Sequence, residues 1–428
     1  MSTMDTTSKS PSTESPRIKL LTFNTWGLKY VSKLRGPRLR AIAERLAGQS
    51  PEDDYDIVAL QEVWVEQDWD YIQAKCQQKY PFSRFFKSGI LAGPGLCILS
   101  KHPIKETFLY RFPINGRPSA FWRGDWYVGK SIAVTIVQVG DRELAVLNSH
   151  MHAPYSHNSL SDANYLCHRA CQAWDFSKFI KFLRSKDRGI IVVGDLNSRP
   201  NSLPHKLLVK NTNLQDSWLQ YKGIEEDAEV GNMSPEEQIS QLGITCDSQL
   251  NTWRATRQLD EACRLDYVLT SENLATVDAS VRFTELIPSL KVSYSDHFAY
   301  SIVCEFAEPV ASAPQMLAQL DTYTEFLEVL TKYQAATLPF QRNWRLLHMV
   351  SSLMIVVGIL VGITFIAIIA PWSVIFFILL VIVLVLTGFV NGILFGGLFT
   401  RSENRALEEV KMEVQDEARY VRYVLGAE

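Results

Sequence analysis

The sequence has almost no bias of charge: 43 Lys and Arg stand against 46 Asp and Glu, a formal net charge of −3. A nucleic-acid partner usually leaves a basic excess, so this balance argues against one. Cysteine is scarce and unpaired in spacing. The seven cysteines, an odd number, give no disulfide framework and point to a reducing compartment. His168 lies between Cys167 and Cys171 in a helix-like run, but no second Cys or His pair follows at zinc spacing. Met1 to Pro16 lacks an apolar run and reads as a disordered tail without a secretory core.

What the chain does contain is a series of short apolar runs that each end in a polar functional group. Gly189-Ile190-Ile191-Val192-Val193 is continuous and β-branched, as in a central strand buried on both faces. It leads into Gly194-Asp195-Leu196-Asn197-Ser198-Arg199-Pro200, where Asp195 and Asn197 can face one side. That pair can hold a hard cation, a water or a phosphate oxygen, although an ordinary turn uses the same residue types. Arg17 to Phe23 alternates as a strand and delivers Asn24. Asp56 to Leu60 delivers Gln61-Glu62, a carboxylate costly to bury unless paired or metal-bound; the plainer alternative is a Glu opening the next helix. Strands over 95–101, 130–139 and 143–148 follow, the last ending in Asn148-Ser149-His150-Met151-His152. Leu265 to Leu269 and Ala299 to Phe306 are strands too, the second preceded by Ser295-Asp296-His297. Helical spacing covers 39–46 and an amphipathic stretch over 160–184, while 219–262 reads as loops and short helices. Antiparallel partners would carry these polar ends to one rim.

Two later runs, Met349 to Ala370 and Val374 to Leu398, carry no charge, and each exceeds the ~20 residues that cross a bilayer. Only Pro371-Trp372-Ser373 separates them, so they predict a helical hairpin with both flanks on one side of the membrane. Arg342, Arg345, Arg401 and Arg405 flank it and the turn is uncharged, which places both termini in the cytosol and offers charge to anionic lipid. Met316, Leu320, Tyr323, Leu327 and Leu330 form one helical stripe; Leu407, Val410, Val414, Val421 and Leu425 form another. The pair predicts a helical stalk. The organisation expected is thus a tail (1–16), a catalytic domain (17–308), a stalk (309–346), a transmembrane hairpin (347–399) and a cytosolic helical tail (400–428).

Phe23-Asn24-Thr25-Trp26-Gly27, Leu60-Gln61-Glu62-Val63-Trp64, Asn148-Ser149-His150-Met151-His152-Ala153, Gly194-Asp195-Leu196-Asn197, Arg264-Leu265-Asp266-Tyr267-Val268 and Ser295-Asp296-His297 stand in telling order. In them the chain resembles the DNase-I-like metal-dependent phosphodiesterases and phosphatases. Within that superfamily it is similar to the neutral sphingomyelinases and the fungal inositol phosphosphingolipid phospholipases C, over about residues 17–306 plus the hairpin. The resemblance implies a four-layer α/β sandwich of two mixed β-sheets with the active site on one rim. It implies Mg²⁺ (Mn²⁺ as a substitute) at Glu62 with Asn24, His297 as general base, and Asp266 orienting it. His150, Asp195 and Asn197 would hold the phosphate, and Asp296 would orient the site or assist the metal. The implied substrate is a membrane sphingolipid, with anionic phospholipids as activators and the endoplasmic reticulum or outer mitochondrial membrane as location.

Gly124-Asp125-Trp126-Tyr127-Val128-Gly129-Lys130-Ser131 fits a nucleotide-binding P-loop in letters. A loop precedes it and a strand follows, where phosphate cradling needs a strand and then a helix. The resemblance gives it another meaning: a P-loop-like element whose Asp and Lys, here Asp125 and Lys130, are needed for activity. It sits in a loop over 111–128 rich in aromatics, suited either to a membrane interface or to core packing. The rival functions are a nuclease, an inositol polyphosphate phosphatase, and a silent membrane scaffold. The double span opposes the first, and the full polar set opposes the last.

Overall fold

The computed structural model describes residues 16–155, 165–185, 187–223, 230–308 and 316–426. The N-terminal tail up to residue 15, the start of the 160–184 helix, 224–229 and the 309–315 connection lie outside the described residues, as do 427–428. The strands, in chain order, are β1 (Arg17–Asn24), β2 (Ile57–Gln61), β3 (Phe82–Phe85), β4 (Cys97–Ser100), β5 (Ile104–Arg111), β6 (Ser131–Val139), β7 (Arg142–His150), β8 (Arg188–Asp195), β9 (Gln215–Asp216), β10 (Asp266–Thr270), β11 (Leu274–Arg282) and β12 (Ala299–Phe306). They form two six-stranded sheets, β11-β12-β1-β2-β4-β3 and β5-β6-β7-β8-β10-β9. Each sheet contains one parallel pair, β1 with β2 and β7 with β8, and the remaining pairs are antiparallel.

Side-chain alternation explains the layering. Ile18 and Leu20 of β1, with Ile191 and Val193 of β8, fill the space between the sheets. Leu21 and Phe23 point the other way, onto the helices Arg35–Ala47 and Glu66–Cys76. Ile190 and Val192 meet the helices Leu166–Leu183 and Leu203–Thr212. Both faces of the central strands are therefore buried, and this is why they read as unbroken apolar runs. The result is the four-layer α/β sandwich of two mixed sheets.

Because a helix crosses over within each parallel pair, the carboxyl ends of β1, β2, β7 and β8 emerge at the same rim. Antiparallel register adds two more groups there. Asp266 opens β10 opposite Asp195, and Tyr300 of β12 pairs with Thr22, so His297 falls beside Asn24. Beneath them Gln61 Nε2 donates to Asn148 Oδ1 at 2.8 Å, and Asn148 Nδ2 donates to the Leu60 and Cys97 carbonyls. This buried amide clamp ties one sheet to the other directly under the site.

Gly194 is required at this end of β8. Its φ is 129°, and an added Cβ would lie 1.9 Å from the Ser149 carbonyl oxygen. Gly194→Ala is expected to force β7 and β8 apart and to cost at least about 2 kcal/mol. A thermal melt of the full-length protein checks this; an unshifted midpoint would mean the strand ends separate freely.

Two helices from the chain's C-terminal quarter lie on this sandwich. Helices Met316–Lys332 and Thr400–Leu425 pair, and Tyr323, Phe326, Leu330, Leu407, Val410 and Val414 join the core around Trp174. Trp174 Nε1 and Lys178 both bond Glu413, and Lys181 bonds Glu417 at 2.6 Å. The two helices pair and form a further layer on the domain. That layer also explains why the Leu166–Leu183 helix is buried continuously from Cys167 to Ser177 instead of presenting one polar face. Beyond it, the helix Leu338–Ile369 turns at Pro371–Ser373 and returns through Val374–Phe389 and a π-helical stretch, Val390–Phe399. Gly388, Gly392 and Gly396 let the arms touch: an added Cβ on Gly392 would meet Met349 at 2.6 Å. Both arms are long and apolar enough to cross a membrane, and their most apolar stretches are almost wholly unburied by the protein. Arg342, Arg401 and Arg405 are exposed near the hairpin's base, whereas Arg345 is buried and donates to Ser119 and Gln341.

Candidate active site

The rim gathers one polar cluster. Asn24 Nδ2 donates to Asp195 Oδ2 at 2.9 Å and to Glu62 Oε1 at 3.2 Å. His150 Nε2 lies 3.6 Å from Asp195 Oδ2 and 3.9 Å from Glu62 Oε1. His297 Nδ1 meets Asp266 Oδ2 at 2.8 Å, and its Nε2 lies 3.9 Å from Asp195 Oδ2. The Asn197 amide N–H donates to Asp195 Oδ1, and its Nδ2 donates to the Met151 carbonyl, which also accepts from Lys130 Nζ. Asn24, Glu62, His150, Asp195, Asn197, Asp266 and His297 thus converge, although they come from six separated stretches of sequence. Asp296 sits at the margin, its carboxylate taken by Arg254 Nη2 at 2.6 Å. Asp125 lies one step further out, 3.3 Å from Lys130 and bonded to the Tyr155 hydroxyl. The segment Asp125–Val128 is a single short helical turn and β6 follows Lys130, so no helix N-terminus is available to cradle a nucleotide.

Two backbone features place these groups. Glu62 has φ 60° and Asn197 φ 47°, both left-handed, which turns each side chain off its strand toward the cleft. Arg38, wholly buried, donates to the carbonyls of Thr25, Trp26 and Tyr294 and so fastens the exit of β1 to the segment leading to His297. Trp26 and Trp253 flank its guanidinium, 4.7 and 5.8 Å from their ring centres. The roles of Arg38, Arg254, Gln61 and Asn148 escaped the sequence reading because each works through partners distant in the chain. An arginine inside a helix or an amide inside a strand carries no local signal of such a role.

Burial governs the electrostatics. It raises the Glu62 carboxyl above its ordinary range, with Asp296 adding repulsion. It pushes Asp195 up to about 7 against the attraction of His297. Burial drives His150 well below the usual histidine value, and Lys130 and His297 reinforce this. On His297 burial opposes charge, but the Cys246 sulfur at 3.6 Å and the Asp266 carboxylate outweigh it and raise the ring above its ordinary value.

Two carboxylates, Glu62 and Asp195, therefore face one cleft with only an amide and a neutral imidazole between them. Asp195, Asp266 and His297 bring ligand atoms within 4.8 Å of one another. Clustered carboxylate oxygens of this kind fit a hard divalent cation, which Glu62 and Asp195 could hold. Asn24 turns Nδ2, not Oδ1, toward both of them, and Oδ1 accepts from the Trp26 N–H. It bridges and positions the carboxylates in this arrangement.

A two-sheet sandwich with such a rim defines a phosphoester-cleaving class, and residues 21–297 match the model of the Endonuclease/Exonuclease/phosphatase family. The chain is 50% identical over 441 residues to an inositol phosphosphingolipids phospholipase C of Saccharomyces cerevisiae, covering 96% of this chain and 92% of that one. The Schizosaccharomyces pombe protein of the same name is 35% identical over 413 residues, covering 94% and 95%. Human sphingomyelin phosphodiesterase 2 is 36% identical over 219 residues, about half of each chain. The chain belongs to the family formed by the inositol phosphosphingolipid phospholipases C and the neutral sphingomyelinases.

Proposed function

We propose that the protein is a membrane-anchored, Mg²⁺-dependent phospholipase C that splits sphingolipid phosphodiesters into ceramide and a phosphorylated head group. Inositol phosphosphingolipids are the preferred class, because the relatives so named match almost the full chain. The observation that carries the chemistry is the His297–Asp266 pair, set 3.9 Å from Asp195 in the cleft that holds Glu62. His297 Nε2 takes a proton from water while Asp266 fixes the Nδ1–H tautomer. The water oxygen bonds phosphorus and the phosphorus–ceramide oxygen bond breaks; the ceramide oxygen takes a proton from solvent and leaves as the free alcohol, and His297 returns its proton to solvent. The neutral His150 would meet the phosphate, Lys130 adds positive charge behind it while held by the Met151 carbonyl and Asp125, and Asn24 and Asn197 hold Asp195 in register. A divalent cation held by Glu62 and Asp195 would supply Lewis-acid stabilisation of the phosphoryl oxygens.

The hairpin anchors the enzyme. By the positive-inside rule, the exposed Arg342, Arg401 and Arg405 put the catalytic domain and both ends of the chain on the cytosolic side and favour anionic lipid there.

The test is hydrolysis of inositol phosphoceramide and of sphingomyelin in mixed micelles by the purified full-length protein. Release of ceramide only when Mg²⁺ is present is the expected result; cleavage of inositol polyphosphates with neither lipid touched would replace this reading with a phosphatase. Glu62→Gln is expected to lower activity at limiting Mg²⁺ by at least about tenfold and to recover part of it in millimolar excess. Parent-like activity at limiting Mg²⁺ would remove Glu62 from the metal site.

A further inference from the structure

An apolar groove of about 510 Å³ opens beside the catalytic cleft, and the chemistry described so far leaves it unused. Leu28, Trp64, Val65, Phe86, Ile90 and Leu91 form its apolar wall, and Lys29, Glu66 and Lys87 also line it. Trp64 is the wall shared with the cleft: its Nε1 donates to Glu62 Oε2 at 3.4 Å, and its ring lies 6.2 Å from that of His150. The outer lip is apolar and open to solvent, with Ile90 69% and Leu91 77% exposed. A soluble domain gains nothing from two such neighbours at the mouth of a polar site.

The lip is held in place by its contact with the 124–130 loop. The Ile90 N–H donates to the Tyr127 carbonyl at 2.8 Å. Gly89 and Gly129, both at positive φ, approach so closely that a Cβ on Gly129 would lie 2.7 Å from the Gly89 nitrogen. The same loop reaches the base of the hairpin, where the Trp126 ring lies 5.6 Å from that of Phe399, and just before the loop Ser119 accepts from Arg345. A continuous set of contacts therefore runs from the apolar hairpin, through this loop, to the lip and on to Glu62.

We propose that this groove receives the ceramide part of the substrate, the first methylenes of its hydrocarbon chains lying against Trp64 and Val65 and the later ones crossing Ile90 and Leu91. The proposal rests on the sphingolipid reading above. The phosphate is esterified directly to the ceramide's primary hydroxyl, so the ceramide must leave the cleft along an adjoining apolar wall. The groove meets the cleft at the carboxylate assigned to the phosphate's counter-ion, and its outer lip connects to the membrane anchor. A lipid chain meets both requirements at once.

Short-chain ceramide phosphoinositols, monomeric in solution, separate the groove from general membrane attachment. With the full-length protein, KM should fall by two- to fourfold for each added methylene until the groove is filled, as expected at ~0.8 kcal/mol per buried methylene. Ile90→Asp and Leu91→Asp alter exposed positions, and Leu91→Met keeps the apolar lip. In the Asp variants the chain-length dependence should flatten. The ratio of lipid to bis(4-nitrophenyl) phosphate turnover should fall at least about tenfold, while Leu91→Met retains the parent ratio. A dependence as steep as the parent's in both Asp variants overturns the groove and leaves the enzyme reading standing. A parent that cleaves the soluble diester but no ceramide phosphodiester overturns the sphingolipid reading, and the groove falls with it.

Discussion

His297→Ala should abolish lipid hydrolysis while leaving the fold in place. A positioned general base is worth ~10²–10⁴-fold, and the cluster's second imidazole is already engaged: His150 Nε2 faces Asp195 and Glu62. The ring lies at the end of a segment pinned by Ser295 Oγ, which donates to the Asn24 carbonyl, and by Asn251 Nδ2, which donates to the Ser295 carbonyl. Truncating it leaves those backbone anchors intact, so circular dichroism and the melting temperature should stay close to the parent's. Turnover by a folded His297→Ala protein within tenfold of the parent would transfer the base to Asp195. Burial pushes that carboxyl up to about 7, which brings it into the range of a general base wherever no cation is bound to it.

The parts of this molecule that could be read from sequence share one physical cause. β1, β2, β4, β6, β7, β8, β10 and β12 occupy the interior of the two sheets, and being buried on both faces requires apolar runs. β3, β5, β9 and β11 are the four edges. Lys105 and Glu106 in β5, or Thr276 and Asp278 in β11, are tolerable there because one side of an edge strand is solvated, so these segments carry no strand pattern. The site follows the same division. Asn24, Glu62, His150 and Asp195 could be found because each ends an interior strand. The carboxylate–amide–carboxylate bridge through Asn24 Nδ2, the Gln61–Asn148 clamp and the Arg254–Asp296 pair depend on which strand ends meet across the sandwich. The docking of helices Met316–Lys332 and Thr400–Leu425 on Trp174 also escaped detection, since an apolar stripe does not say what it packs against.

Asp266→Asn carries the second large effect, and its direction in pH discriminates the assigned role from simple loss of structure. In the parent the Asp266 carboxylate, with the Cys246 sulfur, raises His297 above the ordinary histidine value despite burial. A base works only when deprotonated, so the rate of the parent should climb as pH rises through that raised value. An amide at position 266 removes the negative charge but keeps the size of the side chain. Burial then meets less opposition and the His297 pKa falls, so the acid limb of the pH–rate profile should move to lower pH. The plateau should nevertheless drop by about 10²-fold or more, because an amide stabilises the imidazolium poorly and can accept the other tautomer. The sign for stability runs in parallel. A histidine whose pKa is raised on folding contributes stability that is fully present below its unfolded pKa of ~6.5 and is lost as pH rises through the folded value. The variant should forfeit that contribution and show a flatter melting temperature from about pH 6.5 upward through the parent's raised His297 value. A reduced plateau whose acid limb stays where the parent's lies would mean that Asp266 does not act through His297, and the pair would lose its place as the site's proton-transfer unit.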